Sequence, residues 1–210
     1  MANEKYALLD TDFISKMHLI RKDDQNKLID KIMTMPEYTF YCHKQIGMEL
    51  ARHNIAGASE WFNAKVADQS VILYDDERII NELTKIYGEL AVVSYASMLK
   101  LACDSYSAGY FEENFARISK VDYFHIRKEE FIKQLEEDCS EIGEGRNLGE
   151  LKSYVLLQVL IMKYGEEIYV FCSHDKNARN GAVGIGEMCI RDSLSAAFLW
   201  SSRVDHTGID

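Results

Sequence analysis

Apolar and polar positions along the chain alternate between a strand-like and a helix-like period. Tyr6-Ala7-Leu8-Leu9 is a short apolar run, read as a buried strand of a parallel sheet, and it ends in Asp10-Thr11-Asp12. The spacing predicts a helix over 13–20 with Phe13, Met17 and Ile20 on one face, then a polar break at 22–26. A second helix carries Leu28, Ile29, Ile32 and Met33 in one stripe and stops before Pro36, the only proline. Tyr38-Thr39-Phe40-Tyr41-Cys42 is aromatic and β-prone and predicts the second strand. A helical run over 43–52 follows, with Ile46 and Leu50 facing inward.

The segment 54–147 is longer than an ordinary connection in an α/β domain and reads mostly helical. Within it, Val71–Tyr74 predicts a short strand, with Asp75 or Asp76 capping one long helix from Glu77 towards Ser105. Gly109 marks a break, 111–118 a short helix, and 122–142 a charged amphipathic helix with Phe124, Ile132 and Leu135 in its apolar stripe. A Gly-rich joint over 143–147 closes the segment. A helix from Leu148 runs through Leu156, Leu157, Leu160 and Ile161, and 166–172, with its acidic lead-in Glu166-Glu167, predicts a further buried strand. That strand ends in Ser173-His174-Asp175 and a helix begins at 176–179, which repeats the arrangement around Asp10.

This order predicts an α/β fold with a mostly parallel sheet. In such folds the carboxyl ends of the strands open into the ligand crevice, and two strand-tip aspartates on neighbouring strands would converge there. Taken singly, the residues have plainer readings. Asp12 reads first as an N-cap, Glu49 as a solvated helix carboxylate, Arg179 as half of a surface ion pair, and His174 as a solvent-facing or supporting residue. Four carboxylates from distant segments, Asp10, Glu49, Glu150 and Asp175, nevertheless suit an oxygen-ligand site for Mg²⁺ or Mn²⁺.

Composition narrows the field. The 210 residues carry 24 Lys plus Arg against 34 Asp plus Glu, a net charge of −10. That argues against coating nucleic acid through the overall field, though not against a nuclease with a local basic rim. Five scattered cysteines without a CxxC pair disfavour a disulfide framework or zinc knuckle. The six histidines form no spaced ligand set, which disfavours zinc chemistry. Gly181–Gly186 superficially resembles a dinucleotide fingerprint but follows a helix rather than a strand. No signal peptide or membrane span is evident, so a cytoplasmic chain is expected. Met188-Cys189-Ile190-Arg191-Asp192-Ser193 back-translates to a sequence that resembles the adapter end of transposase-made sequencing libraries. The expected organisation is one domain over 1–187 with a helical insertion at about 54–147, and a tail of doubtful origin over 188–210.

Together LLDTDFIS, QIGMELAR, LGELKSYVLLQ and FCSHDKNAR resemble the four acidic motifs of the PIN-domain family of metal-dependent ribonucleases, over residues 5–52 and 147–186. The resemblance implies a three-layer α/β sandwich with a central mostly parallel sheet, here carrying a large helical insertion. It implies hydrolysis of RNA phosphodiesters, with Asp10, Glu150 and Asp175 holding Mg²⁺ or Mn²⁺ and Glu49 positioning water or a second ion. Thr11 and Ser173 would hydrogen-bond a ligand carboxylate or the scissile phosphate, with Asp12 in a supporting place and Arg179 holding substrate phosphate. An RNA substrate, an antitoxin-like inhibitory protein and a homodimer are the partners it suggests. Clustered carboxylates would raise one acid's pKa until metal binds. Leu8-Leu9-Asp10-Thr11-Asp12 also resembles the strand tip of haloacid-dehalogenase-type phosphatases, with Asp10 as nucleophile and Asp12 as acid, although Phe13-Ile14 departs from that pattern. A non-catalytic PIN-like binding module is the third reading.

Overall fold

The computed structural model describes residues 5–21, 27–142, 147–164, 169–173, 176 and 178–184. Strands β1 (Lys5–Leu9), β2 (Tyr38–His43), β3 (Val71–Tyr74) and β4 (Tyr169–Cys172) form one parallel sheet in the order β3-β2-β1-β4. Leu8 pairs with Tyr41 on one side and Phe171 on the other, and His43 pairs with Tyr74.

Helices α1 (Thr11–Leu19) and α2 (Leu28–Met33) connect β1 to β2, and α3 (Lys44–His53) and α4 (Ala58–Ala67) connect β2 to β3. The return to β4 runs through α5 (Asp76–Tyr87), α6 (Ala91–Asp104), α7 (Tyr110–Asn114), α8 (Lys128–Glu141) and α9 (Leu148–Tyr164). The chain thus steps outward from β1 to β3 and then places β4 on the opposite side of β1. The winding reverses between β1 and β4, the position at which parallel sheets leave a crevice beyond the strand ends.

Strand alternation divides the interior. Ala7, Leu9, Phe40 and Cys42 join Ile14, Ile46, Leu50 and Phe62 from α1, α3 and α4. Leu8, Tyr41 and Tyr74 join Ile79, Leu83, Tyr95, Leu99, Phe131 and Leu157 from α5, α6, α8 and α9. Helices therefore cover both faces, which is why β1 is apolar on successive residues rather than on alternate ones. Every residue of α9 from Leu151 to Ile161 is buried, and this accounts for its apolarity all round.

Several expected boundaries move. The long helix from Glu77 to Ser105 is two helices, broken by a 3₁₀ turn at Gly88–Leu90, where Gly88 takes φ +59°. The stretch Asp76–Asp104 has the length and composition of a membrane span. It nevertheless bends at this turn, α5 and α6 pack against each other, and Ile80, Leu83, Tyr95 and Leu99 enter the sheet's larger core. The helix expected over 122–142 begins at Lys128. Asp122 folds the preceding residues into a turn by accepting from Phe124 N at 3.0 Å, and this leaves Phe124 72% exposed. The buried stripe is Phe131, Leu135 and Asp138, with Ile132 half-buried. In α1, Ile14 and Met17 are buried while Ile20 is exposed. The helix expected over 111–118 stops at Asn114. The predicted joint at 143–147 and strand start at 166–168 lie largely outside the described residues. Within the segment 54–147, β3 completes the sheet and α5, α6 and α8 share the core of α9, so the segment is integral to the packing.

Candidate metal centre at the carboxyl edge of the sheet

Asp10 follows the last residue of β1 and is 7% exposed. Its extended backbone lets it serve as the N-cap of α1, and its Oδ1 accepts from Thr11 N at 2.8 Å. The capping role read for Asp12 therefore belongs to Asp10. Asp12 sits in the first turn of α1 and pairs with Lys16 at 2.8 Å on the surface. The other oxygen of Asp10 accepts from Ser173 Oγ at 2.8 Å, a residue at the carboxyl end of β4. Asp10 N also donates to Cys172 O at 3.2 Å and extends the β1–β4 ladder to the strand tips.

Glu49 is drawn into the same place, against its reading as a solvated carboxylate. Thr11 Oγ1 donates to Glu49 Oε2 at 2.7 Å, and Gly149 N donates to Glu49 Oε1 at 2.8 Å. Gly149 is the second residue of α9, so Glu49 takes one of the unpaired amide donors of a helix N-terminus. A Cβ at residue 149 would lie 2.5–2.7 Å from the Glu49 carboxylate atoms, so only glycine permits this approach.

Burial is the largest influence on Asp10 and pushes its carboxyl up; the Ser173 and Thr11 bonds oppose the rise, and the charges of Glu49 and Asp12 add to it. Burial also pushes the Cys42 thiol up, with the Asp10 and Glu49 charges adding to it. Hard oxygen donors of this kind suit a hard cation. Asp10 and Glu49 are the carboxylates the described residues offer to it. No group of three or more His, Cys, Asp or Glu that could hold a metal ion occurs among the described residues.

The remaining expected residues have distinct places. Glu150 is half-buried beside Gly149, and its Oε1 lies 2.5 Å from the Tyr154 hydroxyl. Arg179 donates from Nη1 to Ser173 O at 2.8 Å, so it braces the tip of β4. Asp175 and His174 lie outside the described residues.

Sequence reasoning missed a second polar group at the same edge. Lys152, 1% exposed, places Nζ 2.9 Å from both oxygens of Asp76 and 2.9 Å from the Tyr95 hydroxyl. Tyr95 also donates to Asp76 Oδ1. His43 Nδ1 accepts from Gln45 N at 3.1 Å, which assigns the ring proton to Nε2, 3.4 Å from Asp76 Oδ1. Burial alone would raise the Asp76 carboxyl, but Lys152, with His43 and Tyr95, holds it well below the carboxylate range. Burial would likewise lower Lys152, and Asp76 reverses this and holds it above its ordinary value. Two signals were present in the sequence: a lysine set among the apolar residues of the first half of α9, and an aspartate just past a strand end, as at Asp10.

Comparison of the chain with family models, curated proteins and solved structures finds no match in any of the three.

Proposed function

We propose that this chain is a PIN-like, divalent-metal-dependent endoribonuclease that hydrolyses RNA phosphodiester bonds at the carboxyl edge of its sheet. The observation that supports it most is the joining of Asp10 to Ser173 across the β1–β4 reversal, 163 residues apart in sequence. The Thr11–Glu49–Gly149 bonds bring the second carboxylate to the same edge.

Asp10 and Glu49 would hold Mg²⁺ or Mn²⁺, with Asp175 and Glu150 as the further ligands on this reading. The ion would lower the pKa of a water and offset charge on the scissile phosphate. Thr11 and Ser173 orient the carboxylates, each by one hydroxyl donor. Arg179 holds the Ser173 carbonyl and so fixes the strand tip on which this orientation depends. The chain's negative charge gives no general attraction for RNA, so substrate contact would rest on the bound cation and local basic residues.

One observation favours a second reading, a non-catalytic binding module on the same fold: no three-ligand group occurs among the described residues. The phosphatase reading is less well supported, because its proposed acid, Asp12, is engaged by Lys16. The deciding experiment is cleavage of a labelled RNA pool with Mn²⁺, Mg²⁺ or EDTA by the parent, Asp10→Asn and Glu49→Gln. Metal-dependent cleavage by the parent, lost in both folded variants, is the expected result. A folded parent that binds no divalent ion would sink the catalytic reading and leave the binding module.

A further inference from the structure

His18 lies in the last turn of α1 and is only 2% exposed. The turn after α3 meets it from one side, where Nε2 lies 3.2 Å from Ala56 O, a carbonyl that can only accept. That bond assigns a proton to Nε2. Lys27, just before α2, also meets the ring, with Nζ 3.1 Å from Nε2 and 3.4 Å from Nδ1. A neutral imidazole offers an ammonium a bare nitrogen, whereas an imidazolium offers only N–H donors and a second positive charge. The Lys27 contact therefore requires a neutral ring, while the Ala56 bond survives protonation.

Lys27 also belongs to the joint between α1 and α2. It pairs with Arg21 in an antiparallel bridge, and next to it Leu28 N donates to Ile20 O at 3.0 Å. Arg21 donates from Nη1 to His18 O at 3.0 Å, which keeps a second cation near the ring. On the α4 side Trp61 meets His18 with ring centroids 6.1 Å apart, and its indole N–H donates to Asp30 Oδ1 at 2.8 Å. Asp30, on α2, is shared with Lys65 of α4 at 3.9 Å. Burial, Lys27 and Arg21 hold the His18 pKa down, against the Ala56 bond and the Asp30 charge.

We propose that His18 is an acid-sensitive latch: its neutral ring seats Lys27 and closes the α1–α2 joint, and protonation expels Lys27 and opens the Arg21–Lys27 bridge. This role needs no metal and is independent of the function proposed for the carboxyl edge. With the ring held below its ordinary value of 6.5, closure is complete above that value and is lost as pH falls from it through the folded pKa.

The test is an NMR pH titration of the full chain, parent and Lys27→Met, reading the His18 ring nitrogens and the exchange of the Leu28 amide corrected for its intrinsic rate. In the parent the ring is expected to be neutral at neutral pH, with its proton on Nε2 and a midpoint below 6.5. Opening at Leu28 should rise by up to about tenfold per pH unit between 6.5 and that midpoint, for uptake of one proton, and level off below it. The amides of β2 should stay protected over the same range. Lys27→Met is expected to raise the midpoint and flatten the rise. A midpoint at or above 6.5, a neutral ring protonated on Nδ1, or Leu28 opening indifferent to pH would each overturn the proposal. Opening of β2 in step with Leu28 would overturn it too, because the response would then be global unfolding, as would a Lys27→Met response equal to the parent's. Should Lys27→Met fail to fold, the parent measurements decide the proposal by themselves.

Discussion

Thr11 Oγ1 donates to Glu49 Oε2 at 2.7 Å and joins the first turn of α1 to the second turn of α3. Thr11 N also holds Asp10, so one residue sets the spacing of two carboxylates on neighbouring strand-to-helix junctions. Thr11→Val keeps the side chain's shape and removes the hydroxyl. It should cost about 1 kcal/mol of stability, the usual net value of one hydrogen bond. It should also weaken Mn²⁺ binding, because Glu49 is released to rotate. Thermal unfolding and metal titration of the same sample check both parts. Unchanged affinity with lowered stability would make the bond purely structural.

Gly149→Ala separates helix propensity from carboxylate placement. In an open helix the change would gain up to about 1 kcal/mol. Here the new methyl meets both Glu49 oxygens, so Glu49 must leave the amide it accepts from. The expected outcome is lower stability and weaker Mn²⁺ binding despite the better helix former. A variant more stable than the parent, with unchanged Mn²⁺ affinity, would contradict the geometry.

Asp10 has an elevated pKa in the fold, chiefly through burial, so its ionised form is a native-state cost. The native state holds this proton more tightly than the unfolded chain, and stability falls as pH rises from the ordinary value of 3.8 through the folded pKa. Asp10→Asn retains a capping oxygen and should raise the melting temperature at neutral pH in EDTA. That advantage should vanish at acidic pH, where the parent carboxyl is protonated. Mn²⁺ at one hundred times its Kd should stabilise the parent by about 2.7 kcal/mol and leave the variant unmoved. Calorimetric scans across pH, with and without metal, decide it.

The Lys152–Asp76 pair makes the opposite prediction. Asp76 is held below its ordinary 3.8, so its contribution is complete above that value and is lost as pH falls through the folded pKa. Lys152 is held above its ordinary 10.5, so its contribution is complete below that value and is lost as pH rises through the folded pKa. Across the neutral range the pair contributes a flat term. Lys152→Met should cost about 3–5 kcal/mol by stranding the Asp76 charge. Replacing both partners, Lys152→Met with Asp76→Asn, should cost less, a difference that denaturant unfolding resolves.

Much of the fold was legible because its signals are local. Ala7-Leu8-Leu9, the β-prone run at Tyr38 and the capped strand at Val71 each carry their own pattern, and each forms a strand. Asp10 was legible as a strand-tip carboxylate for the same reason. Glu49 was legible only as one of the acidic set and through the resemblance: its helical spacing alone points to solvent, and it is the distant Thr11 and Gly149 that bond its carboxylate. Lys152 was hidden in the same way, since its partners Asp76 and Tyr95 come from other helices. Gly88 was overlooked because α5 and α6 have the same apolar periodicity on either side of it. Only a left-handed glycine, visible in the backbone, separates them.

The Asp10–Ser173 bond also fixes when this edge can exist. A chain leaving the ribosome makes β1, β2 and β3 early, but β1 waits for β4 until well over a hundred further residues have emerged. Until then Asp10 has neither its hydroxyl donor nor its neighbouring strand, and α9 has no finished core to fill. Contacts of such long sequence separation form late, after local helices are in place. The nascent chain therefore carries its acidic residues without their assembled geometry, and a shortened translation product ending before β4 lacks the Asp10–Ser173 bond altogether.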